Sequence, residues 1–248
     1  MPSRLKSVPT GYIYMENKDN VFIQTLCLIG KMKILLLGAT GRTGKIVLKI
    51  ALEKGYQVNC LARNIERIEK REGLTIFEGN PTNEIDLIKA ISGCDCVISV
   101  LNISRKSDFP WSSLRTPKTF LSEAMNLLVR ISENKKLNRV SICSAWGVAE
   151  TKNDIPKWFK WFIDNSNIGF AYEEHQRQEK IISESKFKWT IVRPVGLSNS
   201  KKEENIIVTF NNKPKPNILI SRKSVAKYLV ESLENDSLIQ KKVVISKQ

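Results

Sequence analysis

The sequence predicts an α/β fold built on a doubly wound parallel sheet over residues 32–248. Strand and helix patterns alternate from Met32 onward, and the first strand-like segment, KILLLGA, is continuously apolar. A run of this kind is typical of a strand that is buried on both faces. A glycine-rich segment then separates it from the first helix. Repeated alternation implies right-handed crossovers between neighbouring parallel strands.

Each further element follows from its own pattern. The segment TGKIVLKIALEKG has apolar residues at helical spacing and a terminal glycine, so it predicts the first helix. Strands two to four are predicted in QVNCLAR, LTIFEG and CDCVISVLN. The helix TFLSEAMNLLVRISENKK, the strand RVSICSA, the helix YEEHQRQEKIISESK and the strand WTIVRP follow. The tail predicts strands in NIIVTF, NILIS and KKVVIS around the helix RKSVAKYLVESLEN, as a small C-terminal extension on the substrate side.

Length and composition indicate a single globular domain. The chain has 248 residues, of which 42% are hydrophobic and 26% charged. The apolar runs are shorter than the ~18 residues that a membrane span needs, so no stable membrane insertion is expected. Five cysteines are an odd set that predicts free thiols and therefore a cytoplasmic location. No metal site is expected, because Cys94 and Cys96 have no second cluster of Cys or His residues to complete a ligand set.

The formal net charge of +15 raises the question of a nucleic-acid partner. The lysines are spread along the whole chain, and the signatures of helix-turn-helix, zinc-finger and RNA-recognition modules are missing from it. Specific nucleic-acid binding is therefore not expected. The charge is either a solvated lysine-rich surface or a positive field that attracts an anionic nucleotide.

Residues 1–31 differ from the rest of the chain. They have no clear hydrophobic period and precede a second methionine, Met32, where a compact nucleotide-binding domain would begin. We expect an extension outside the core, with an added structural element or an organelle-targeting segment as alternatives. Targeting is disfavoured because Glu16 and Asp19 precede the apolar run VFIQTLCLIG and no A-x-A cleavage site follows it.

The glycine-rich segment GATGRTG predicts a dinucleotide site. Its glycines permit a tight turn, close approach of the backbone to a pyrophosphate, and close packing of the helix on the strand. The N-terminus of the helix then binds the anion. The predicted contacts are Gly38, Thr40, Gly41, Arg42, Thr43 and Gly44. A P-loop is excluded, because GKI has isoleucine where a magnesium-binding hydroxyl is required.

The end of the second strand predicts which dinucleotide is bound. An acidic residue there accepts from the ribose 2′-hydroxyl of NAD, whereas arginine suits the 2′-phosphate of NADP. This chain has Arg63, then Asn64 and Arg67. Two guanidiniums can bracket a phosphate, so NADP(H) is favoured over NAD(H). Alternatively, Arg67 is an exposed residue paired with Glu66 or Glu69.

The motifs KILLLGATGRTG, CLARNIER, FEGNPTN, CDCVISVLN, SICSAWG and WTIVRP occur in this order. From Met32 to about Ser246 the chain resembles the NmrA-like, NAD(P)H-binding group of atypical short-chain dehydrogenases/reductases, which includes flavin and biliverdin reductases. The resemblance implies a Rossmann-like fold and a set of cofactor contacts. Asn80 would face the adenine, Leu101 and Asn102 the ribose and pyrophosphate, Ser144 the nicotinamide and substrate, and Arg193 with Pro194 the nicotinamide side.

The chain differs from the family it resembles at the two catalytic positions. Standard members use Tyr-x-x-x-Lys, in which lysine lowers the pKa of the tyrosine. Here Tyr172 is followed by Gln176, and the family's two positions fall on Ala171 and His175. Ser144 and His175 are therefore the candidate catalytic residues, with His175 as a polar group near the nicotinamide ribose or an auxiliary proton donor. The alternative for His175 is a hydrogen-bonded or solvated helix histidine.

An aromatic segment after the fifth strand predicts the substrate side. Its candidate contacts are Trp146, Trp158, Trp161 and Phe162, which could stack a planar acceptor. The alternatives are an amphipathic turn that packs onto the core and, as a minor possibility, membrane contact. Two functions follow: an NADPH-dependent reductase of a small conjugated acceptor, or a non-catalytic redox sensor of the NmrA-like kind. The oligomeric state is not predicted.

Overall fold

The computed structural model describes residues 32–132, 137, 139–202 and 204–248. The predictions for residues 1–31 therefore lie outside the described residues. Residues 33–248 form one compact unit. Within the described ranges, no helix is long and apolar enough to cross a membrane.

An eight-stranded sheet in the order β3-β2-β1-β4-β5-β6-β10-β8 forms the centre of the unit. All neighbours in it are parallel except β8, which pairs antiparallel with β10 at one edge. The predicted doubly wound sheet is therefore confirmed. Its strands are β1 (Lys33–Leu37), β2 (Gln57–Ala62), β3 (Leu74–Glu78), β4 (Cys96–Ser99), β5 (Arg139–Cys143) and β6 (Lys188–Pro194); β8 (Ile206–Thr209) and β10 (Lys241–Lys247) follow.

Helices cover both faces of this sheet. They are α1 (Arg42–Glu53), α2 (Glu84–Ile91), α3 (Phe120–Ser132), α4 (Lys157–Asp164), α5 (Gly169–Ser183) and α6 (Arg222–Glu231). Helix α1 packs beside α6, and α3 packs beside α5. Leu35 and Leu37 of β1 join the core under α2, α3 and α5, so strand alternation directs Ile34 and Leu36 toward the other helical layer. All four side chains are fully buried, which stabilises the fold by about 1.5–3 kcal/mol each.

A buried carboxylate joins α5 to α3. Glu174 is fully buried and accepts hydrogen bonds from the backbone N–H groups of Leu121 and Ser122, both at 2.9 Å. These N–H groups belong to the first turn of α3, where the helix dipole favours a negative charge. The contact fixes α5, which carries the candidate catalytic positions, against the helical layer.

The C-terminal part contains a second, smaller sheet. The predicted strand NILIS forms β9 (Leu219–Ser221), which does not join the main sheet but pairs with β7 (Gly196–Ser198) in a two-stranded sheet. Helix α2 was not predicted, although Asn83 caps it by accepting from the backbone N–H of Asp86 at 3.1 Å.

The strand order reverses between β1 and β4, and the carboxyl ends of these strands are where open α/β sheets bind ligands.

Candidate cofactor and active site

Two of the three glycines after β1 are required by close backbone packing. Gly38 has a φ of +90°, and a Cβ there would lie 2.8 Å from the carbonyl oxygen of Val100 at the end of β4. A Cβ on Gly44 would lie 2.0 Å from the carbonyl oxygen of Gly38. The N–H of Gly41 donates to that same oxygen at 3.0 Å. A larger residue at Gly38 or Gly44 would therefore push the loop away from the switch point of the sheet.

This loop leaves the N-terminus of α1 available to an anion. Gly41 is the N-cap and supplies no side chain, and the first turn of α1 contains no acidic residue. The N–H groups of this turn therefore lack an intrahelical partner and point along a favourable dipole. Thr40 and Thr43 lie half-buried beside them. The site fits the pyrophosphate of a dinucleotide, as the motif predicts.

Arg42, at the start of α1, is paired with an acid that the motif does not contain. Its Nη1 and Nη2 donate to the two carboxylate oxygens of Asp108 at 3.0 and 2.8 Å. The hydrogen bonds and charge of Arg42 lower the pKa of the Asp108 carboxyl group. Asp108 belongs to the segment 101–119 that connects β4 to α3, which we call the β4–α3 loop. This ion pair thus ties that loop to the glycine-rich turn.

The predicted 2′-phosphate residues lie together and exposed after β2. Arg63 and Asn64 follow the strand directly, and Arg67 ends a short 3₁₀ turn, Ile65–Arg67. The Arg63 guanidinium lies 5.4 Å from the centre of the Phe120 ring, which orients it by a cation–π contact. Glu69 pairs with Arg71 at 2.8 Å, and Arg67 forms no ion pair with any carboxylate in the described ranges. The alternative in which Arg67 pairs with Glu66 or Glu69 is therefore not observed.

The other predicted ribose and adenine contacts are less available. Leu101 packs its side chain into the core, because β4 runs directly into the hydrophobic layer under α3, so only its backbone can face a ligand. Asn102 is exposed at the same edge. The Asn80 backbone N–H donates to Asp86 at 2.9 Å, and its side-chain oxygen accepts from the N–H of Thr82 at 3.3 Å. Asn80 therefore binds its own turn in this state.

Ser144 and Arg193 lie at the carboxyl ends of β5 and β6, as predicted, but both are bound to a carboxylate of α5. The Ser144 hydroxyl donates to Glu179 at 2.5 Å. The Arg193 Nε and Nη2 donate to the two oxygens of Glu179 at 2.8 and 2.5 Å. Ser144, Glu179 and Arg193 are 4%, 2% and 2% exposed. The serine hydroxyl therefore orients the carboxylate and is not free to face a nicotinamide.

A second carboxylate completes this network from the segment after β5. Glu150 accepts from Nη1 and Nη2 of Arg193 at 2.5 and 3.2 Å. Burial lowers the pKa of Arg193, but the hydrogen bonds and charges of Glu179 and Glu150 outweigh burial and raise it. Arg193 therefore stays charged. The backbone of Pro194 also joins the two segments, because its carbonyl oxygen accepts from the N–H of Trp146 at 3.0 Å.

His175 is in the hydrogen-bonded environment that was the alternative to a catalytic role. The Gln178 side-chain NH₂ donates both to the carbonyl oxygen of Cys143 at 3.1 Å and toward Nδ1 of His175 at 2.7 Å. Nδ1 is therefore the acceptor and Nε2 carries the proton. Burial lowers the pKa of His175 to about 4, so the imidazole is neutral near pH 7. It cannot serve as a cationic acid, and only its Nε2–H could contact a cofactor.

The neighbouring tyrosine is no substitute for the missing dyad. Burial raises the pKa of Tyr172, and its ring packs edge-on against Phe159 with centroids 6.1 Å apart. The equivalent family position is Ala171, which is buried against the core. Within the described residues, no Tyr-x-x-x-Lys pair is formed on α5. Tyr172 instead borders a cavity of about 240 Å³ beside the segment 147–149.

The residues of the predicted aromatic wall differ in their exposure. Trp146 is buried in the core, whereas Trp158 and Trp161 are 60% and 54% exposed. The reason is the spacing in α4, which buries Ile163, half-buries Phe159 and Phe162, and turns the two tryptophans to the opposite face. Phe162 contacts Trp111, which was not predicted as a site residue although Phe109 and Trp111 frame the turn DFPW.

The remaining candidate chemistries have little support in the described ranges. No group of three or more His, Cys, Asp and Glu side chains is arranged to hold a metal there. The cysteines Cys60, Cys96 and Cys143 form no disulfide in the described part of the chain. Burial raises the pKa of Cys60 and Cys143 to about 12, so neither is a reactive thiolate near neutral pH.

Known proteins similar to this chain carry the same fold. A short-chain dehydrogenase/reductase from Veillonella parvula, solved in complex with NADP, superposes with a TM-score of 0.70 at 18% identity over 87% of this chain and 94% of that one. ChuY, an anaerobilin reductase from Escherichia coli O157:H7, gives a TM-score of 0.72 at 18% identity over 87% of this chain and 97% of that one.

The relatives found by sequence are matched over only part of their own length. Anthocyanidin reductase of Arabidopsis thaliana is 25% identical over 67% of this chain, and the match covers 48% of that protein. The photosystem II assembly factor Ycf39 of Trieres chinensis is 25% identical over 82% of this chain, and the match covers 60% of that protein. This chain thus spans about half to three fifths of the length of these relatives.

The family model described as NAD(P)H-binding matches residues 38–236, from the first glycine of the motif to the turn before β10. This range covers most of the chain and confirms the predicted NAD(P)(H) cofactor. The chain therefore belongs to the NAD(P)H-binding family.

Proposed function

We propose that this chain is an NADPH-dependent reductase that transfers a hydride to a small conjugated acceptor such as a flavin or a quinone. The observation that carries the proposal is the composition of the two dyad positions on α5, Ala171 and the neutral, buried His175. Reduction of an isolated carbonyl needs a positioned proton donor. A conjugated acceptor spreads the incoming charge over its rings and takes its proton from water, so it needs mainly proximity and stacking.

The residues that would hold the cofactor are those of the glycine-rich turn and the end of β2. The first-turn N–H groups of α1 fit the pyrophosphate, and Arg63 with Arg67 fits the 2′-phosphate. Bound NADPH supplies the hydride. Because no carboxylate stands at position 63 to accept from a ribose 2′-hydroxyl, we infer that NADP(H) is preferred over NAD(H).

The network of Ser144, Glu179 and Arg193 would hold the ends of β5 and β6 in position and would not transfer a proton. It joins the ends of β5 and β6 to α5, so these strand ends cannot separate when a ligand binds. The carboxylate of Glu179 already accepts three hydrogen bonds from Ser144 and Arg193. A carboxylate that is bound through both oxygens in this way suits a rigid support beneath the nicotinamide.

The acceptor would enter from the side of the β4–α3 loop. The cavity beside Tyr172, about 240 Å³, is smaller than typical ligand pockets. The loop is held over the site by the Arg42–Asp108 pair, whose side chains are 56% and 80% exposed. An exposed ion pair contributes only about 0–1 kcal/mol, so breaking this contact between the loop and the glycine-rich turn costs little.

The test is turnover with purified protein. NADPH oxidation is followed at its absorbance band with FMN, riboflavin and a quinone added in turn, and acceptor-dependent oxidation is expected with at least one. The Arg63→Asp variant is the matched control and should lose this rate at limiting NADPH. Tight NADPH binding without oxidation by any acceptor in the panel would reject the reductase function.

One observation favours a second function, a redox sensor without turnover. The hydroxyl of Ser144, which the family resemblance directs at the nicotinamide, is engaged by Glu179 and 4% exposed. Relatives named as assembly factors, such as Ycf39 of Synechocystis, match over 85% of this chain. A sensor should bind NADPH and NADP⁺ with different affinity and change a protein partner's binding, whereas a reductase needs only turnover. Isothermal titration with each form of the cofactor, combined with the acceptor panel, distinguishes the two, because only a sensor discriminates the two forms without oxidising NADPH.

We also propose that the protein works in a reducing compartment such as the cytoplasm. The support is the reduced state of Cys60, Cys96 and Cys143, which form no disulfide within the described residues. A fluorescent fusion of the full chain that localises to an oxidising compartment would overturn this assignment. The proposed partner is the small planar acceptor, without a specific nucleic acid.

A further inference from the structure

We propose that an exposed aromatic patch formed by Phe109, Trp111, Trp158 and Trp161 binds the surface of an anionic membrane. The proposal concerns a surface of the fold and does not depend on the reductase function. Two segments build the patch: the β4–α3 loop supplies Phe109 and Trp111, and helix α4 supplies the other two.

The four side chains are exposed to an unusual degree. Phe109 is 62%, Trp111 43%, Trp158 60% and Trp161 54% exposed. Single exposed apolar residues are common on soluble proteins, but a contiguous group of large aromatic side chains indicates an interaction site. Four partly exposed aromatic rings leave a large apolar area in contact with water, and a second surface that covers them would bury this area.

The four rings form one continuous surface around the half-buried Phe162. The Phe109 and Trp111 ring centroids are 5.3 Å apart, and Trp111 lies 5.8 Å from Phe162. Trp158 and Trp161 lie 6.3 and 5.4 Å from the same phenylalanine ring. Residues 158 and 161 are three apart on a helix and therefore share a face.

Hydrogen bonds hold the patch in place. The Trp111 Nε1–H donates to the carbonyl oxygen of Asn165 at 2.7 Å, and the Asn167 side-chain NH₂ donates to the carbonyl oxygen of Trp111 at 2.9 Å. The Asn165 side chain donates to the carbonyl oxygen of Trp161 at 2.9 Å. The patch is thus ordered before it meets a partner, so binding does not need to order it.

The charges around the patch identify an anionic occupant. Lys157 and Lys160 are exposed on α4 and form no ion pair with a carboxylate in the described part of the chain. The acidic residues of the same two segments are neutralised, because Asp164 pairs with Lys152 at 2.5 Å and Asp108 with Arg42 at 2.8 Å. The free charge beside the aromatic rings is therefore positive, and the whole chain carries +15.

Lysine beside tryptophan fits a lipid surface better than a protein interface. Protein interfaces are enriched in tryptophan but depleted in lysine. Membrane interfaces favour both, because the indole ring lies at the headgroup level while lysine reaches anionic phosphates. Helix α4 has 8 residues and a length of about 12 Å, so it can rest in the interface but cannot span the bilayer.

The test is sedimentation of the full chain with vesicles of phosphatidylcholine alone and of phosphatidylcholine mixed with phosphatidylglycerol. We expect binding to the mixed vesicles only, with weakening at high salt and a blue shift of tryptophan fluorescence. W158A/W161A and K157E/K160E should each weaken binding by about tenfold or more. Phe210→Ala, which removes an aromatic ring that is 44% exposed outside the patch, should leave binding unchanged.

Equal binding to both kinds of vesicle, or no binding to either, would overturn the proposal. Binding that survives W158A/W161A would do so as well. Circular dichroism of each variant separates loss of binding from loss of folding, and K157E/K160E changes only exposed side chains, so it should remain folded. Since NADPH oxidation is measured without vesicles, failure of the membrane proposal leaves the reductase function standing, and the reverse also holds.

Discussion

The Arg42 guanidinium and the Asp108 carboxylate form a two-pronged ion pair between the glycine-rich turn and the β4–α3 loop, with N–O distances of 3.0 and 2.8 Å. Arg42 is the first residue of α1, where the pyrophosphate of a dinucleotide is expected. Asp108 therefore places a negative charge beside a site for an anion. The same acid holds the loop that carries Phe109 and Trp111 of the aromatic patch.

Asp108→Asn should strengthen NADPH binding by roughly twofold to fivefold, because it frees Arg42 and removes a charge that repels the cofactor. Titration followed by NADPH fluorescence measures the change. Asp164→Asn makes the same change of charge at an exposed ion pair with Lys152 and should leave affinity unaltered. Weaker binding by Asp108→Asn would show that the ion pair supports the loop more than it opposes the cofactor.

Arg63→Asp should weaken NADPH by tenfold or more and NADH much less, because a charge-assisted hydrogen bond to phosphate contributes about 1.5–3 kcal/mol. Dissociation constants for both cofactors give the ratio. Lys188→Asp is the control, since Lys188 is exposed at the first residue of β6, at the edge of the parallel sheet opposite to the carboxyl ends of the strands. An equal loss for NADPH and NADH would refute the assignment of Arg63 to the 2′-phosphate.

Glu179→Gln should lower the free energy of unfolding by about 3–5 kcal/mol, because it leaves the buried Arg193 short of its principal counter-charge. Urea denaturation at neutral pH measures the loss. Glu150→Gln affects the same guanidinium from a side chain that is 63% exposed, and should cost about 1 kcal/mol or less. Similar losses for the two variants would contradict the view that Glu179 dominates the network.

The buried His175 should make the fold less stable in mild acid. Its pKa falls from 6.5 in the unfolded chain to about 4 in the folded one, so the unfolded state binds the extra proton first. The contribution is complete above about pH 6.5 and is lost progressively as the pH falls toward 4. It amounts to at most roughly 3 kcal/mol. Urea denaturation between these pH values should show that the free energy of unfolding depends less steeply on pH in His175→Gln than in the unmodified protein. An unchanged slope would mean that other groups cause the pH dependence.

The cofactor half of the site follows from local rules and could be predicted. Gly44 is dictated by its close approach to the Gly38 carbonyl oxygen within a single turn, and Gly38 by its positive φ, so their spacing survives in the sequence as a motif. Arg63 is placed by the end of its strand. The apolar run of β1 is buried on both faces, which continuous hydrophobicity indicates without further information.

The substrate half of the site could not be predicted in this way. Glu179 lies on a helix of mostly polar residues, and a glutamate in such a sequence indicates a solvent-exposed face. Its partners Arg193 and Ser144 are 14 and 35 residues away in the sequence. Asp108 is 66 residues from Arg42. The outward turn of Trp158 and Trp161 depends on which face of α4 meets the core, and an eight-residue aromatic helix leaves that choice open.

The sequence by itself determined the strand–helix alternation, the glycine-rich turn, the cofactor class and the absence of Tyr-x-x-x-Lys, because each is encoded over a few neighbouring residues. Only the tertiary structure decided that Ser144 binds Glu179, that His175 is neutral and that four aromatic rings form one exposed patch. These properties come from packing between distant segments, where burial and the identity of the partner set the charge and direction of each side chain.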